Sequence, residues 1–302
     1  MNPKPVKNLP ASVRQRLLNF ARENKRSFNE LVHYYAMERY LYRLSKSRLS
    51  NQFILKGALM FRAWDSPVSR PTMDIDMMAK TSNDSSRVIE HIQEIISVEI
   101  PNDGIVFDLN SIVTETITED ADYQGIRIRF TGLLDNIKIN MQIDLGFGDI
   151  VFPKPEKIDF PTILDLPKPR LLGYSKESAI AEKFEAMVKR GTLNSRMKDF
   201  YDIWLLINQF DFTKNRMRKA ISMTFQRRGA SLTDNIVAFT KSFATDKQVQ
   251  WEAFFKKVNQ DDIPSDFFKV VSAIKEFINP IVSDVESSNS SKCVWKAPGP
   301  WK

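Results

Sequence analysis

The chain is poor in cysteine and histidine. One cysteine, Cys293, stands among 302 residues; a lone thiol forms no internal disulfide and fits a reducing compartment. Two histidines, His33 and His91, are too few for a His-rich zinc centre, and neither stands in a pattern that supports a Ser-His-Asp triad. No apolar run approaches the roughly 18 residues of a membrane span. The segment Met1-Asn-Pro-Lys-Pro-Val-Lys7 lacks the apolar core of a signal peptide, so a soluble, cytoplasmic protein is expected. Neither G-x-x-x-x-G-K-[ST] nor the Rossmann glycine fingerprint occurs, which removes support for P-loop and dinucleotide enzymes. Catalytic chemistry, if present, must rest on carboxylates.

What remains is ordinary globular composition, 42% hydrophobic and 27% charged, with a net charge of +7. The excess suits a polyanion such as RNA, DNA or nucleotide, and equally a merely basic protein. Three zones and a tail separate. Residues 1–51 form an N-terminal helical segment: Ser27-Phe-Asn-Glu30 has the spacing of a capping box, and Leu31, Tyr34, Tyr35, Leu41 and Leu44 recur at helical intervals. Its basic residues Arg39, Arg43, Lys46 and Arg48 are expected on a solvated face, with RNA contact as the alternative.

Residues 52–170 carry the strand signals. Phe53-Ile-Leu55 runs into Lys56-Gly57 and a helical stretch from Ala58 to Trp64. Met73–Ala79 reads as a strand, and Val88–Ile96 as a helix. Ile126, Ile128 and Phe130 alternate with Arg127 and Arg129, as do Ile137, Ile139, Met141, Ile143 and Leu145 with polar partners that include Asp144. Gly132–Asn136 joins these two strands as a hairpin connection, and Pro153–Pro169 reads as a connector. Residues 171–283 are helical again, with helices expected over Ser175–Arg190, Lys198–Phe210, Thr213–Arg228 and Ile263–Ile278. Residues 284–302, rich in Ser, Pro and Lys, are expected to be disordered. The fold class is α+β, a small mixed sheet between two helical zones.

Arg70-Pro-Thr-Met-Asp74-Ile-Asp76 supplies the carboxylates. On a strand, residues two apart share a face with about 6.6–6.8 Å of rise between them. Two acids so placed repel unless cations bridge them, and hard oxygen donors suit Mg²⁺; a strand with two exposed acids is the plain alternative. The Lys56-Gly57 turn could bring backbone N–H groups and a cation to a phosphate, although any tight turn needs its glycine. Asp144, between apolar positions of a strand, requires partners, and a metal is one way to supply them. Lys183 lies on a small-residue helix face. In Arg196-Met-Lys198-Asp199-Phe-Tyr-Asp202, Asp199 could serve the helix dipole and Asp202 could pair with Lys198.

In order along the chain, Phe53-Ile-Leu-Lys-Gly57, Arg70–Asp76, Ile143-Asp-Leu-Gly-Phe-Gly-Asp149, Ala181-Glu-Lys-Phe-Glu-Ala186 and Ser195–Ile203 resemble the AbiEii/AbiGii-type toxin nucleotidyltransferases, over roughly residues 27–210. The resemblance implies a polymerase-β-like core with a helical C-terminal domain. It implies two Mg²⁺ ions on Asp74, Asp76 and Asp144, an essential Lys183 and a later acid at Asp199 or Asp202. It makes Lys56, Gly57, Arg70, Thr72, Arg196 and Asp202 candidate nucleotide-binding residues. The family's Lys-Gly-Gly or Gly-Ser turn is Lys56-Gly57-Ala58 here, leaving phosphate contacts to Lys56 and backbone. The implied activity is transfer of a nucleotide from an NTP to an acceptor, the 3′-end of tRNA in characterised relatives, within bacterial toxin–antitoxin and phage-defence loci with an antitoxin encoded nearby. Transfer to a protein or small molecule, or a non-catalytic nucleotide- or RNA-binding module, are the alternatives.

Overall fold

The computed structural model describes residues 8–66, 70–120, 123–232, 235–258, 263–283 and 293–302. The chain forms two compact units. The first runs to Gly148 and resumes over Glu156–Gly173; the second comprises Asp149–Pro155 and Tyr174–Lys302. The helical N-terminal residues thus belong with the sheet that follows rather than standing apart.

Unit one opens with α1 (Leu9–Glu23), whose N-terminus is capped by Asn8, and α2 (Phe28–Lys46). Ser27 caps α2 by accepting from the Glu30 amide; the Glu30 side chain pairs with Arg26 instead of closing a full box. The sheet contains β1 (Phe53–Lys56), β2 (Ile75–Ala79), β3 (Ile105–Asp120), β4 (Tyr123–Leu134), β5 (Ile137–Phe147), β6 (Glu156–Asp159) and β7 (Arg170–Gly173), in the order β3-β4-β5-β2-β1-β7-β6. It is mixed: β2 runs parallel to β5 and β1 parallel to β7, while the other pairs are antiparallel. Short α3 (Leu59–Ala63) and α4 (Ser85–Ile96) complete the unit.

The alternation in β4 and β5 sorts residues as expected. Ile126, Ile128, Phe130, Ile139, Met141, Ile143 and Leu145 are buried on one face, leaving Arg127, Arg129, Thr131, Asn140, Gln142 and Asp144 on the other. The β4–β5 turn is tighter than the expected five-residue connection. Leu134 pairs with Ile137, and Asp135 takes φ 53°, a left-handed conformation that a short polar side chain tolerates.

Helix α2 departs from expectation. All residues from Leu31 to Leu44 are buried, so Arg39 and Arg43 are not on a solvated face. Each has a distant acceptor. Arg39 pairs with Glu38 at 2.7 Å and donates to the Pro167 carbonyl at 3.1 Å; Arg43 grips Asp103 at 2.8 and 3.1 Å. A buried guanidinium is tolerable only with such partners, and two of them, Asp103 and Pro167, lie 60 and 128 residues away.

Unit two packs α5 (Lys176–Arg190), α6 (Met197–Gln209), α7 (Lys214–Arg227), α8 (Lys241–Val258) and α9 (Phe267–Val282) around an aromatic core. Ser175 caps α5, and Gly191 at φ 49° terminates it. Helix α8 carries only four buried residues, too sparse a stripe to stand out in the sequence. The tail corrects an expectation. Residues 284–292 lie outside the described set, but 293–302 are ordered: β9 (Val294–Trp295) pairs with β8 (Phe212–Thr213). Trp295 is buried, donates to the Ile207 carbonyl at 2.6 Å and meets Phe277 edge-on, while the Trp301 ring stacks on Phe277. The order comes from tertiary aromatic packing, which local composition does not report. Among the described residues no helix is long and apolar enough to cross a membrane.

Candidate active site

The site grows from sheet register. β1 antiparallel to β2 sets Lys56 opposite Asp76; β2 parallel to β5 sets Asp76 beside Asp144; β4 antiparallel to β5 sets Arg127 opposite Asp144; and β3 sets Glu115 opposite Arg127. One row across five strands therefore reads Lys, Asp, Asp, Arg, Glu. β2 starts at Ile75, two residues later than expected, so Asp74 lies just before the strand rather than on it. Its carboxylate still joins the other two: one oxygen from each of Asp74, Asp76 and Asp144 lies within 4.8 Å of the others. All three residues are half-buried.

Three carboxylates at that separation repel one another, and the surroundings offset the charge unevenly. Arg127 grips Asp144 with two parallel bonds, Nε to Oδ1 at 2.8 Å and an Nη to Oδ2 at 2.7 Å, the strong bidentate geometry of a guanidinium on a carboxylate. Those hydrogen bonds raise the Arg127 guanidinium further above its ordinary value. Thr72, buried, donates its hydroxyl to Asp74. The Thr72 amide in turn donates to the Tyr34 hydroxyl at 3.2 Å, and His33 Nε2 lies 2.8 Å from the Met73 carbonyl. Burial lowers the His33 pKa against the opposing pull of that carbonyl and of Asp74, so the imidazole is neutral and donates to Met73. The Asp74 segment is thus tied to α2 at two points.

Gly57 closes the site on the β1 side. It takes φ +70°, and a Cβ there would meet Asp76 Oδ2 at 2.0 Å. The turn needs glycine both for its conformation and for room beside the acid. Beyond the triad, on the β5 and β4 side, a cleft of about 610 Å³ opens, with Asp74 in its wall together with Met73, Arg129, Thr131, Asn140 and Gln142; Arg70 also lines it.

The later candidates all lie in unit two. Lys183 Nζ stands 3.0 Å from Asp199 and 2.8 Å from Asp202, and Arg196 Nε stands 3.0 Å from the second Asp199 oxygen. Asp202, expected to pair with Lys198 if structural, is fully buried against Lys183 instead. Asp199, Asp202, Lys183 and Arg196 therefore form one connected cluster that ties α5 to α6. A second cluster escaped the sequence reading. Arg228 meets Asp149 at 3.0 Å, Glu185 at 2.9 Å and Glu182 at 3.5 Å, all largely buried, and these carboxylates raise its pKa against the opposing effect of burial.

Arg127, Gln142 and His33 were also missed as site residues. Alternation in β4 announced a basic face, but only the β4–β5 register reveals that Arg127 lands on Asp144. Gln142 Nε2 stands 3.5 Å from Asp144 Oδ2, a contact that requires knowing which face Asp144 shares. His33 acts through backbone forty residues away and leaves no local signal.

Known proteins agree with this architecture. A crystal structure of JHP933 from Helicobacter pylori superposes with a TM-score of 0.50 at 12% identity, covering 85% of this chain and 95% of that one. A second H. pylori structure, described only provisionally as a nucleotidyltransferase, gives 0.50 at 14% identity over 86% and 99%. At such identities the likeness establishes the fold alone. No curated protein sequence matches. The sequence family described as nucleotidyl transferase AbiEii toxin, type IV toxin–antitoxin system, matches residues 39–273. This chain, with its acidic triad on a seven-stranded mixed sheet, belongs to the AbiEii nucleotidyltransferase toxin family.

Proposed function

We propose that this nucleotidyltransferase moves a nucleoside monophosphate from an NTP to the 3′-hydroxyl of an RNA, of the tRNA class, in a Mg²⁺-dependent reaction. The observation that carries the proposal is the convergence of Asp74, Asp76 and Asp144 on one point. Their donors are all carboxylate oxygens, the set that hard divalent cations prefer, and their mutual repulsion gives a reason for a cation to sit there. Two such ions would lower the pKa of the acceptor hydroxyl and stabilise the leaving pyrophosphate.

The acceptor oxygen forms a bond to the α-phosphorus, its proton leaves to solvent, and the bond from that phosphorus to the bridging oxygen of the β-phosphate breaks. Lys56, beside Asp76 in the sheet, and the Gly57 turn would receive the triphosphate. Thr72 orients Asp74, and Arg127 orients Asp144. Arg70, in the same unit as the triad, is a candidate phosphate ligand; Lys183 and Arg196, with Asp199 and Asp202, form the candidate cluster of the second unit. The net charge of +7 favours an RNA acceptor over a neutral one.

The test is to incubate the purified chain with NTPs labelled at the α-phosphate, Mg²⁺ and total tRNA. The wild type is expected to label RNA and release pyrophosphate, and Asp74→Ala to do neither. Equal labelling by both proteins, or release of nucleoside diphosphate, contradicts the proposal. Label on protein instead of RNA moves the acceptor to a side-chain hydroxyl.

A further inference from the structure

The triad stands at the boundary between two different surroundings on the same sheet face. Because the strand order is β4-β5-β2-β1, the Lys56-Gly57 turn lies on one side of the Asp74–Asp76 segment and Asp144 on the other. The 610 Å³ cleft lies between the Arg70–Asp74 segment with His33 and the residues of β5, β4 and β3 that face it, and Asp74 belongs both to the triad and to the cleft wall. Displacement at phosphorus is in line: the attacking and leaving oxygens occupy opposite sides of the transferred group. If the leaving pyrophosphate is received on the β1 side, the attacking hydroxyl arrives from the β5 side, where the cleft is.

We propose that this cleft is an acceptor pocket that holds the unpaired 3′-terminal nucleoside of a single-stranded RNA end, with Asn140 and Gln142 reading its base edge. The inference rests on the nucleotidyl-transfer reading above. Its volume falls in the range of about 300–1,000 Å³ typical of small-ligand pockets. Asn140 is exposed and Gln142 half-buried, two residues apart on one strand face and opposite Thr131 and Arg129 of β4. Carboxamides carry a donor and an acceptor each, which matches the mixed edge of an unstacked base. Met73, an exposed large apolar side chain at 49% accessibility, adjoins Asp74 at the cleft and offers a surface for the base face. Arg129, paired with Glu115 at 2.8 Å, places a cation beside the phosphate that precedes the terminal nucleoside. A duplex end is excluded, because its bases are stacked and paired.

The experiment compares a short fluorescent single-stranded RNA in linear form, with a free 3′-hydroxyl, and the same sequence circularised. Equilibrium anisotropy is measured without NTP for wild type, Asn140→Ala, Gln142→Ala and the double variant, alongside binding of α,β-methylene analogues of the four NTPs titrated singly. Linear RNA is expected to bind the wild type about tenfold tighter than circular RNA, the scale of one or two hydrogen bonds with their partners left unpaired. The double variant is expected to erase that preference, and Asn140→Ala, which keeps the Gln142–Asp144 contact, to weaken it while analogue affinities and melting temperature stay unchanged. The proposal is overturned if linear and circular RNA bind alike, or if Asn140→Ala weakens the analogues instead of the linear RNA. Because binding needs no turnover, the two readings separate. An end preference without nucleotide incorporation keeps the pocket and defeats the transferase reading; incorporation into RNA with no end preference does the reverse.

Discussion

At Gly57 a backbone angle of +70° coincides with a missing Cβ that would otherwise overlap Asp76. Gly57→Ala meets both a left-handed conformation and a clash with a site carboxylate. It is expected to lose about 1–3 kcal/mol of stability in chemical denaturation and nearly all transferase activity. Glu38 offers a pH signature instead. Burial pushes its carboxyl up to about 7, against the lowering effects of Arg39 and the Ile163 amide. A folded-state pKa above the unfolded value of about 4.5 means the native chain holds the extra proton between those limits, so this contribution to stability is full below pH 4.5 and lost as pH rises to about 7. Melting temperatures of wild type relative to Glu38→Gln should therefore increase as pH is lowered from 7.5 towards 5. A difference that is flat with pH would show that Glu38 is ionised throughout.

Among the elements, strands β4 and β5 do most to build the site, and they show how far sequence reading reaches. Their alternation, the Asp74–Asp76 pair and the capped helices α2 and α5 were legible because each is a local pattern of period 2 or 3.6. Register was not legible. Nothing within residues 126–130 says that Arg127 will face Asp144, and nothing in the Pro153–Pro169 connector says that Glu156–Asp159 will become an edge strand against β7. Long β3 was missed because its pairing with β4 is interrupted between Asp108 and Val113, which breaks the alternation. The Arg127–Asp144 pair leads to a prediction at this scale. Arg127 both occupies the Asp144 oxygens and fixes their direction. Arg127→Ala removes a positive charge from beside the triad, so Mn²⁺ should bind several-fold more tightly. The same change frees Asp144 to move, and turnover should fall on the order of 10–100-fold. Weaker Mn²⁺ binding by that variant would show that Arg127 assists the cation rather than competing with it.

At the level of the molecule, each unit has its own means of cohesion. Unit two relies on aromatic packing that reaches to the last residues, through Trp295, Trp301 and Phe277. Trp295→Ala leaves a large void and orphans the Ile207 carbonyl, so urea unfolding of unit two should show a loss of about 3–5 kcal/mol. Unit one buries ion pairs and gathers three acids at one point of a chain whose net charge is +7. The field of the whole molecule repels divalent cations, so any affinity for them must come from the triad itself. Calorimetric titration of Mn²⁺ into wild type and Asp74→Asn, with an α,β-methylene NTP analogue present, tests that claim most directly. Saturable binding by the wild type, weakened at least about tenfold in a variant that melts no lower, is the predicted result; equal affinity in the two proteins would contradict the account.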